Sequence, residues 1–207
     1  MTPVEMVQEW MTAIGETTHD AKHREALLWG ALRRLQAAMN EWHQFDKDSN
    51  PNCEWFRASR INIARALCDV AYVAIGTALL RVYTPEDQLF YHHERLDPDR
   101  WHRSAIEGSL YKLFQRPQYL APIRRAAAYY GFGDKLEDCF AEVHRANMRK
   151  LECDWCCGRG DTKCAGCHGT GRRVSRAPDD CILKPAGWQP PELGKILFGE
   201  MEDKTNG

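Results

Sequence analysis

Six of the nine cysteines lie in one stretch of the sequence, between residues 153 and 181. Within it, CDWCCGRG (153–160) and CAGCHGTG (164–171) both have the pattern C-x-x-C-x-G-x-G. Two C-x-x-C turns can direct four thiolates at one centre, and tetrahedral sulfur ligation suits Zn²⁺. The glycines permit tight turns with positive φ, so that backbone N–H groups can face the sulfurs. We therefore predict a zinc site with four ligands: Cys153, Cys156, Cys164 and Cys167.

Neighbouring residues leave alternatives open within this stretch. Cys157 adjoins one motif, and either His168 or Cys181 could replace one of the four ligands. The rival interpretation is a redox-active C-x-x-C, but two paired motifs fit a closed structural zinc better than one active dithiol. A four-cysteine site has no open coordination position, so we expect no catalysis by this zinc. Its expected role is to fold a small knuckle that has no core of its own.

Composition limits what the rest of the chain can be. The 207 residues are 43% hydrophobic, enough for one core with a small appendage. Lys+Arg total 28 and Asp+Glu total 29, so the net charge of -1 excludes a globally basic nucleic-acid binder. We expect no run near the roughly 20 apolar residues that span a bilayer. The N-terminus lacks the pattern of a signal peptide, so we predict a cytoplasmic protein.

Hydrophobic periodicity predicts an all-α fold, because no segment has a convincing strand pattern. Apolar residues at helical spacing predict helices over these segments: 1–15, 21–45, 54–82, 100–115, 123–133 and 134–151. Pro117 and Pro122 are predicted to interrupt the chain between two of these helices. After the cysteine-rich stretch, CILKPAGWQPPELGKIL (181–197) is predicted to be extended at its prolines and then helical.

Three segments, in their order, resemble one protein family. ALCDVAYVAIGTAL (66–79) resembles the second core helix of the all-α nucleoside triphosphate pyrophosphohydrolases, the MazG and phosphoribosyl-ATP pyrophosphohydrolase-like group. FAEVHRANMRKL (140–151) resembles a later helix of that group, which offers an Asn and a Lys to substrate phosphates. LKPAGWQPPEL (183–193) resembles the closing segment of its phage-type members. The cysteine pattern resembles half of the zinc domain of the DnaJ chaperones.

The resemblance implies a domain organisation. Residues 1–151 would form a helical MazG-like core with an insertion at about 84–133. Residues 152–176 would form the zinc knuckle, and 177–207 a proline-rich closing segment that packs back on the core. Because the family builds its pocket between helices and often across a dimer, the resemblance also implies a homo-oligomer, a dimer or tetramer, in a bacterial or phage-infected cytoplasm.

The sequence departs from the family where the catalytic metal binds. The family holds Mg²⁺ on an E-E-x-x-E and an E-x-x-D, which fall here on Gly30, Ala31 and Arg34, and on Ala66 and Asp69. Only Asp69 is acidic, and one carboxylate cannot hold a hard octahedral cation against water at useful affinity. Since hydrolysis in the family needs the metal, the resemblance implies a pseudoenzyme.

The family motifs imply a phosphate-binding pocket that uses cations in place of the metal. Arg65 lies near it in the motifs, and the implied ligand-binding set is Arg34, Asp69, Tyr72, Arg145, Asn147, Lys150 and Lys184. Simpler interpretations stand beside this one. A lone carboxylate such as Asp69 can be a buried acid paired with an arginine. Tyr72 at its position is more often core, and Trp188 is expected to staple the tail to the core.

Three functions follow from these patterns. The first is a non-catalytic nucleotide-binding protein, which could sequester a nucleotide signal. The second is an active Mg²⁺-dependent pyrophosphohydrolase with a rearranged site, completed by acids such as Glu41, Asp46, Glu107 or Glu142. The third is an interaction module in which the knuckle docks on protein or nucleic acid. Its local basic patch comprises Arg159, Lys163, Arg172, Arg173 and Arg176. We favour the first function, with nucleic acid as a less favoured partner.

Overall fold

A computed structural model describes most of the chain. The described residues are 1–15, 21–44, 53–80, 103–117, 120–153, 155–156, 158–160, 162–168, 170–174 and 182–199. Seven α-helices lie in this part: α1 (Pro3–Ala13), α2 (Ala21–His43), α3 (Glu54–Leu80), α4 (Arg103–Tyr111), α5 (Ala121–Tyr129), α6 (Leu136–Arg149) and α7 (Leu193–Phe198). Short 3₁₀ turns follow α4 at Lys112–Phe114 and precede α6 at Gly133–Lys135. The described residues contain no β-strand, so the predicted all-α class is confirmed.

The helix α1 begins with a complete capping box. The Thr2 hydroxyl accepts a hydrogen bond from the backbone N–H of Glu5, and the Glu5 carboxylate accepts one from the Thr2 N–H. Pro3 occupies the first turn, where its missing N–H costs nothing. The helix buries Val7 and Met11 against α3 and α6. It thereby covers one side of the core that α3 forms.

The helix α3 is the centre of the core, and it is buried on nearly all sides. We expected no apolar run long enough to cross a membrane, but α3 meets that criterion of length and composition, with a mean hydropathy of 1.7 in its most apolar window. Within the fold, 72% of that window is buried. Such burial is typical of the central helix of a soluble fold, because neighbouring helices rather than lipid cover the apolar side chains.

The segment interpreted as an insertion packs into the same core. From its described part, Ile106, Leu113, Ile123 and Phe132 are fully buried in the single large hydrophobic cluster. Pro122 does not lie between two helices, the position that the sequence predicts; it lies in the first turn of α5. A proline fits there because the first N–H groups of a helix have no intrahelical partner. This part of the chain is thus integral to the fold.

The helix α6 leads directly from the core into the cysteine-rich stretch. Its buried face includes Leu136, Cys139, Phe140 and Val143, as the periodicity predicts, whereas Met148 is only half-buried. Beyond the cysteines, the closing segment, here residues 182–199, returns to α3 and α6 through α7. The rest of the closing segment as predicted, 177–181 and 200–207, lies outside the described residues.

Candidate functional site

Four thiols converge at the start of the cysteine-rich stretch. The sulfurs of Cys153, Cys156, Cys164 and Cys167 all lie within 4.8 Å of one another. The Cys153–Cys164 and Cys156–Cys167 sulfur distances are 3.7 and 3.6 Å. A tetrahedron with metal–sulfur bonds of about 2.3 Å has sulfurs about 3.8 Å apart. The four predicted cysteines therefore form a group that could hold one tetrahedral metal ion.

Local turns and one short bridge position these thiols. An antiparallel bridge joins Glu152 to Arg172, and the Cys153 N–H donates to the Gly171 carbonyl at 3.0 Å. Gly158 and Gly171 have φ of +74° and +69°, and a Cβ on Gly171 would lie 2.5 Å from the Gly158 carbonyl oxygen. Only glycine fits this contact, which explains the glycines of the repeated motif. The knuckle thus needs little beyond its own residues to bring the cysteines together.

The alternative ligands do not enter this cluster among the described residues. His168 is exposed, with a φ of +50°, and lies outside the group of four metal-competent sulfurs. Cys157 and Cys181 lie outside the described residues. Three of the four cysteines in the cluster are buried and Cys164 is partly exposed, so the group resembles a closed structural site more than an accessible redox dithiol.

A second candidate site is a cleft between α2 and α3. It has a volume of about 300 Å³, and it is lined by residues of these two helices: Arg34, Ala37, Ala38, Glu41, Asn62, Arg65, Ala66 and Asp69. We call it the Asp69 cleft. It exists because both helices carry alanine where larger side chains would close the space. Two of the predicted ligand-binding residues, Arg34 and Asp69, lie on its walls.

Asp69 is a half-buried carboxylate surrounded by positive charge. Burial raises its pKa, and the charges of Arg34, Lys150 and Arg65 oppose that rise. Among the described residues, none of these cations forms a hydrogen bond or a close ion pair with Asp69. The buried Nε of Arg65 also has no hydrogen-bond partner there. Unpaired buried polar groups are costly, so this arrangement is typical of a site completed by a ligand.

Lys150 connects the Asp69 cleft to the closing segment. Its ammonium donates to the Asn147 side-chain carbonyl at 2.6 Å and lies 5.6 Å from the centre of the Trp188 ring. The Lys184 ammonium lies 4.2 Å from the same ring. Burial lowers the pKa of Lys150, Lys184 lowers it further, and Asp69 opposes the effect. The structure therefore brings Asn147 and Lys184 close to Lys150, whose charge in turn acts on Asp69.

Two predicted ligand-binding residues do not line the cleft and are engaged in other contacts, although the Tyr72 hydroxyl also adjoins the Asn147 side chain. Tyr72 is buried in the core, where it stacks on Phe140 and its hydroxyl lies 2.8 Å from Nδ1 of His144. His144 contacts the Glu9 carboxylate with its other ring nitrogen at 3.1 Å. Arg145 binds the Glu142 carboxylate, with 2.6 Å between its Nε and the nearer oxygen. Neither Tyr72 nor Arg145 lines the Asp69 cleft.

The acids that could complete a rearranged magnesium site do not converge. Glu41 lines the Asp69 cleft, but Glu107 accepts a hydrogen bond from Gln36, and Glu142 is engaged by Arg145 and by the Glu192 N–H. Asp46 lies outside the described residues. In the described ranges, the four cysteines are the one group of metal-ligating side chains close enough to share an ion.

A groove between α6 and the knuckle carries part of the predicted basic patch. It is lined by Arg145, Arg149 and Arg172, but each of these arginines has a carboxylate partner: Glu142, Glu152 and Glu9. Arg159, Lys163 and Arg173 are exposed, and Arg176 lies outside the described residues. The groove is therefore close to neutral, which does not favour nucleic acid as a ligand.

Asn62 is a cleft residue that the sequence does not single out, whereas Glu41 enters there only as one acid of a rearranged magnesium site. The spacing nevertheless groups both residues with the rest of the cleft, because residues 34, 38 and 41 share one face of α2, and residues 62, 66 and 69 share one face of α3. The sequence alone does not show that these two faces meet, because it does not show that α2 and α3 pack against each other in antiparallel directions. In comparisons with known proteins, no family model, curated protein or solved structure matches this chain. The family resemblance therefore stays a prediction.

Proposed function

We propose that the chain is a non-catalytic nucleotide-binding protein and that the Asp69 cleft is its ligand site. The observation that carries this proposal is the half-buried Asp69 among three cations, Arg34, Arg65 and Lys150, with which it makes no close ion pair in the described part of the chain. The volume of about 300 Å³ is at the lower end of the range of small-molecule pockets. A mononucleotide is therefore the largest ligand class that we propose.

The cations take the role that a divalent metal plays in a pyrophosphohydrolase of the resembling family. Arg34 and Arg65 can bind phosphate oxygens through paired N–H groups, and Lys150 adds a point charge. Asp69 would accept hydrogen bonds from a sugar hydroxyl. We propose binding without hydrolysis because the described carboxylates do not form a group that could share the metal on which hydrolysis in the resembling family depends. Binding without turnover is what a MazG-like pseudoenzyme would do, for example to sequester a nucleotide signal.

Calorimetry on the full-length, metal-loaded protein tests this proposal. Nucleotides are titrated without divalent cations, and the ligand is then analysed for hydrolysis after incubation with Mg²⁺ or Mn²⁺. We expect binding with intact ligand. Arg34→Ala should weaken it about tenfold or more, since a hydrogen bond to a charged group is worth about 1.5–3 kcal/mol. Arg33→Ala is the matched control, because Arg33 is the exposed neighbour that does not line the cleft.

Two results would overturn the proposal. Pyrophosphate release that depends on Mg²⁺ or Mn²⁺ would establish the hydrolase, with Glu41 and Asp69 as its first candidate ligands. Failure of every nucleotide to bind at low salt would leave the interaction module as the better hypothesis. In that case, salt-dependent binding of RNA or DNA that is lost in the Arg172→Ala, Arg173→Ala double variant would support it.

We infer that the metal of the four-cysteine group is zinc and that its role is structural. Four thiolates at tetrahedral spacing suit Zn²⁺, and they leave no coordination position for a substrate. We also propose a homo-oligomer in the cytoplasm, by analogy with the resembling family alone. Light scattering measures its mass, and a mass equal to one chain would refute the oligomer.

A further inference from the structure

The two ends of the Asp69 cleft have different chemistry. Along α2 the lining runs from Arg34 to Glu41, and along α3 from Asp69 back to Asn62. The two helices run antiparallel, since the charge of Arg34 acts on Asp69 and, one end further along, the guanidinium of Arg24 lies against Gly76. Seven residues of helix separate the members of each pair, a distance of about 10 Å. One end therefore carries the cations near Lys150 and the other carries a carboxylate and an amide. An elongated ligand with one anionic end can lie in only one direction.

Small apolar side chains form the floor between the two ends. Ala38 and Ala66 are buried at 8% and 7% exposure, and the exposed Ala37 adds to the same surface. No backbone polar group is offered by a helix surface of this kind, since its N–H and C=O groups are already bonded within the helices. A flat, weakly polar group such as a nucleobase suits this floor. Its edge would then lie at Glu41 and Asn62.

We propose that Glu41 selects nucleotides whose base carries an exocyclic amino group, a statement that rests on the proposed function of the cleft. A carboxylate accepts hydrogen bonds and donates none, so it pairs with an amino group. It repels a base that presents a carbonyl at the same position, because that arrangement leaves two acceptors facing each other. Among the described residues the Glu41 carboxylate forms no hydrogen bond or ion pair, so it is available to a base. Asn62, with both a donor and an acceptor, supports either neighbouring ring position.

Matched pairs of mononucleotides test this selectivity. AMP and IMP differ by an amino group against a carbonyl, and CMP and UMP differ in the same way. Calorimetry on the metal-loaded protein should give affinities for AMP and CMP that exceed those for IMP and UMP about tenfold or more. In Glu41→Gln the ratio should fall to within about threefold, because an amide both donates and accepts. Glu137→Gln, an exposed change on α6, should keep the wild-type ratio.

Ribose 5-phosphate serves as a probe without a base. Its affinity should be the same in wild type and in Glu41→Gln, and lower in Arg34→Ala. Equal affinity of the wild type for AMP and IMP, with ribose 5-phosphate still bound, would refute base selection and leave the proposed function standing. A selectivity that persists unchanged in both Glu41→Gln and Glu41→Ala would refute Glu41 as its source. Binding of none of these probes would overturn the proposed function and this inference together.

Discussion

The four-cysteine knuckle and the Asp69 cleft are built in opposite ways. The knuckle takes its ligands from residues 153–167, and turns and a bridge close to those ligands hold them. The cleft takes its residues from two long helices, and its charges extend to Lys150 at the end of a third. A local site is specified by a short sequence pattern. A site between helices is specified by how those helices pack, and so by the whole core.

The two sites also differ in what holds them in place. In the knuckle the buried groups are the cysteines themselves, and they form a small cluster separate from the main core. In the cleft the positions of Arg34 and Asp69 depend on the core beneath α2 and α3. Loss of the metal should therefore disrupt the knuckle and keep the cleft intact. A destabilising variant in the core should disrupt the cleft and keep the metal bound in the knuckle.

The largest effect should come from loss of a metal ligand. Apparent binding free energies of structural zinc sites are about 10–16 kcal/mol, and much of that is folding free energy. Cys164→Ser changes the one partly exposed ligand, and it should abolish stoichiometric zinc and expose the knuckle to protease. Elemental analysis and limited proteolysis measure these effects. The helical signal in far-ultraviolet circular dichroism should remain, because the core lies outside the knuckle.

Cys53→Ser is the matched control for this prediction. Cys53 precedes α3, where its sulfur accepts the Phe56 N–H at 3.4 Å, and serine is a favourable residue at that position. The variant should keep its zinc and its stability. Full zinc content in Cys164→Ser would show that another residue, such as Cys157, His168 or Cys181, completes the site. Loss of the helical signal would show that core and knuckle are not separable.

The second largest effect should be the loss of stability when Tyr72, a core residue near the cleft, is truncated. Tyr72 packs between Phe140 and Trp10, with ring-centre distances of 5.4 and 6.4 Å. Tyr72→Ala should lower the free energy of unfolding by about 3–5 kcal/mol, as truncations of buried aromatic residues do. Urea unfolding followed by circular dichroism measures it.

Tyr72→Phe separates the core role of this residue from a ligand role. It removes the hydroxyl that pairs with His144, and it should cost about 1–3 kcal/mol because a buried ring nitrogen loses its partner. Nucleotide affinity should remain that of the wild type. A large loss of affinity in a folded Tyr72→Phe protein would place Tyr72 in the ligand site, as the family resemblance implies.

The same contrast explains how much the sequence could predict. The C-x-x-C-x-G-x-G repeats determine the four sulfurs, because thiolate spacing and glycine turns act within a few residues. Helical periodicity likewise predicts every helix of the described chain to within a few residues. Tyr72 and Asp69 lie three residues apart on α3, yet one is core and the other lines a cleft. That difference depends on which helices pack against α3, and periodicity contains no information about it.

The pH dependence of stability tests the environment of Asp69. Its pKa is raised above the ordinary value, chiefly by burial, so at a pH near that value the folded protein binds more protons than the unfolded chain. Stability contributed by this group therefore falls as pH rises through and above the ordinary pKa of aspartate. Asp69→Asn removes the titration. Urea unfolding of both proteins across pH should show a variant that gains stability relative to wild type as pH rises.

Asp69→Asn should also weaken nucleotide binding, because a neutral amide replaces the acceptor proposed for the sugar hydroxyl. A gain in stability combined with a loss of binding is the pattern of a residue retained for function. Asp138→Asn is a suitable control, since Asp138 is exposed on α6 and should change neither property appreciably. A pH-independent difference between Asp69→Asn and wild type would show that the surrounding cations already offset the burial of the carboxylate.

The smallest effect should come from the closing segment, which lies against α6 and the start of the knuckle. The Trp188 indole N–H donates to the Ala146 carbonyl at 2.7 Å, and the ammonium groups of Lys150 and Lys184 lie 5.6 and 4.2 Å from its ring centre. Trp188→Phe keeps an aromatic ring but removes the hydrogen bond, so it should cost about 0.5–1.5 kcal/mol. Hydrogen exchange should rise in residues 182–192 and remain unchanged at the cysteines.

If protection of the knuckle falls as well, then Trp188 couples the two sites and they are not separable. If nucleotide affinity falls in Trp188→Phe while Trp55→Phe, a change at an exposed tryptophan, leaves it intact, then the closing segment is part of the ligand site and fixes Lys150 toward Asp69.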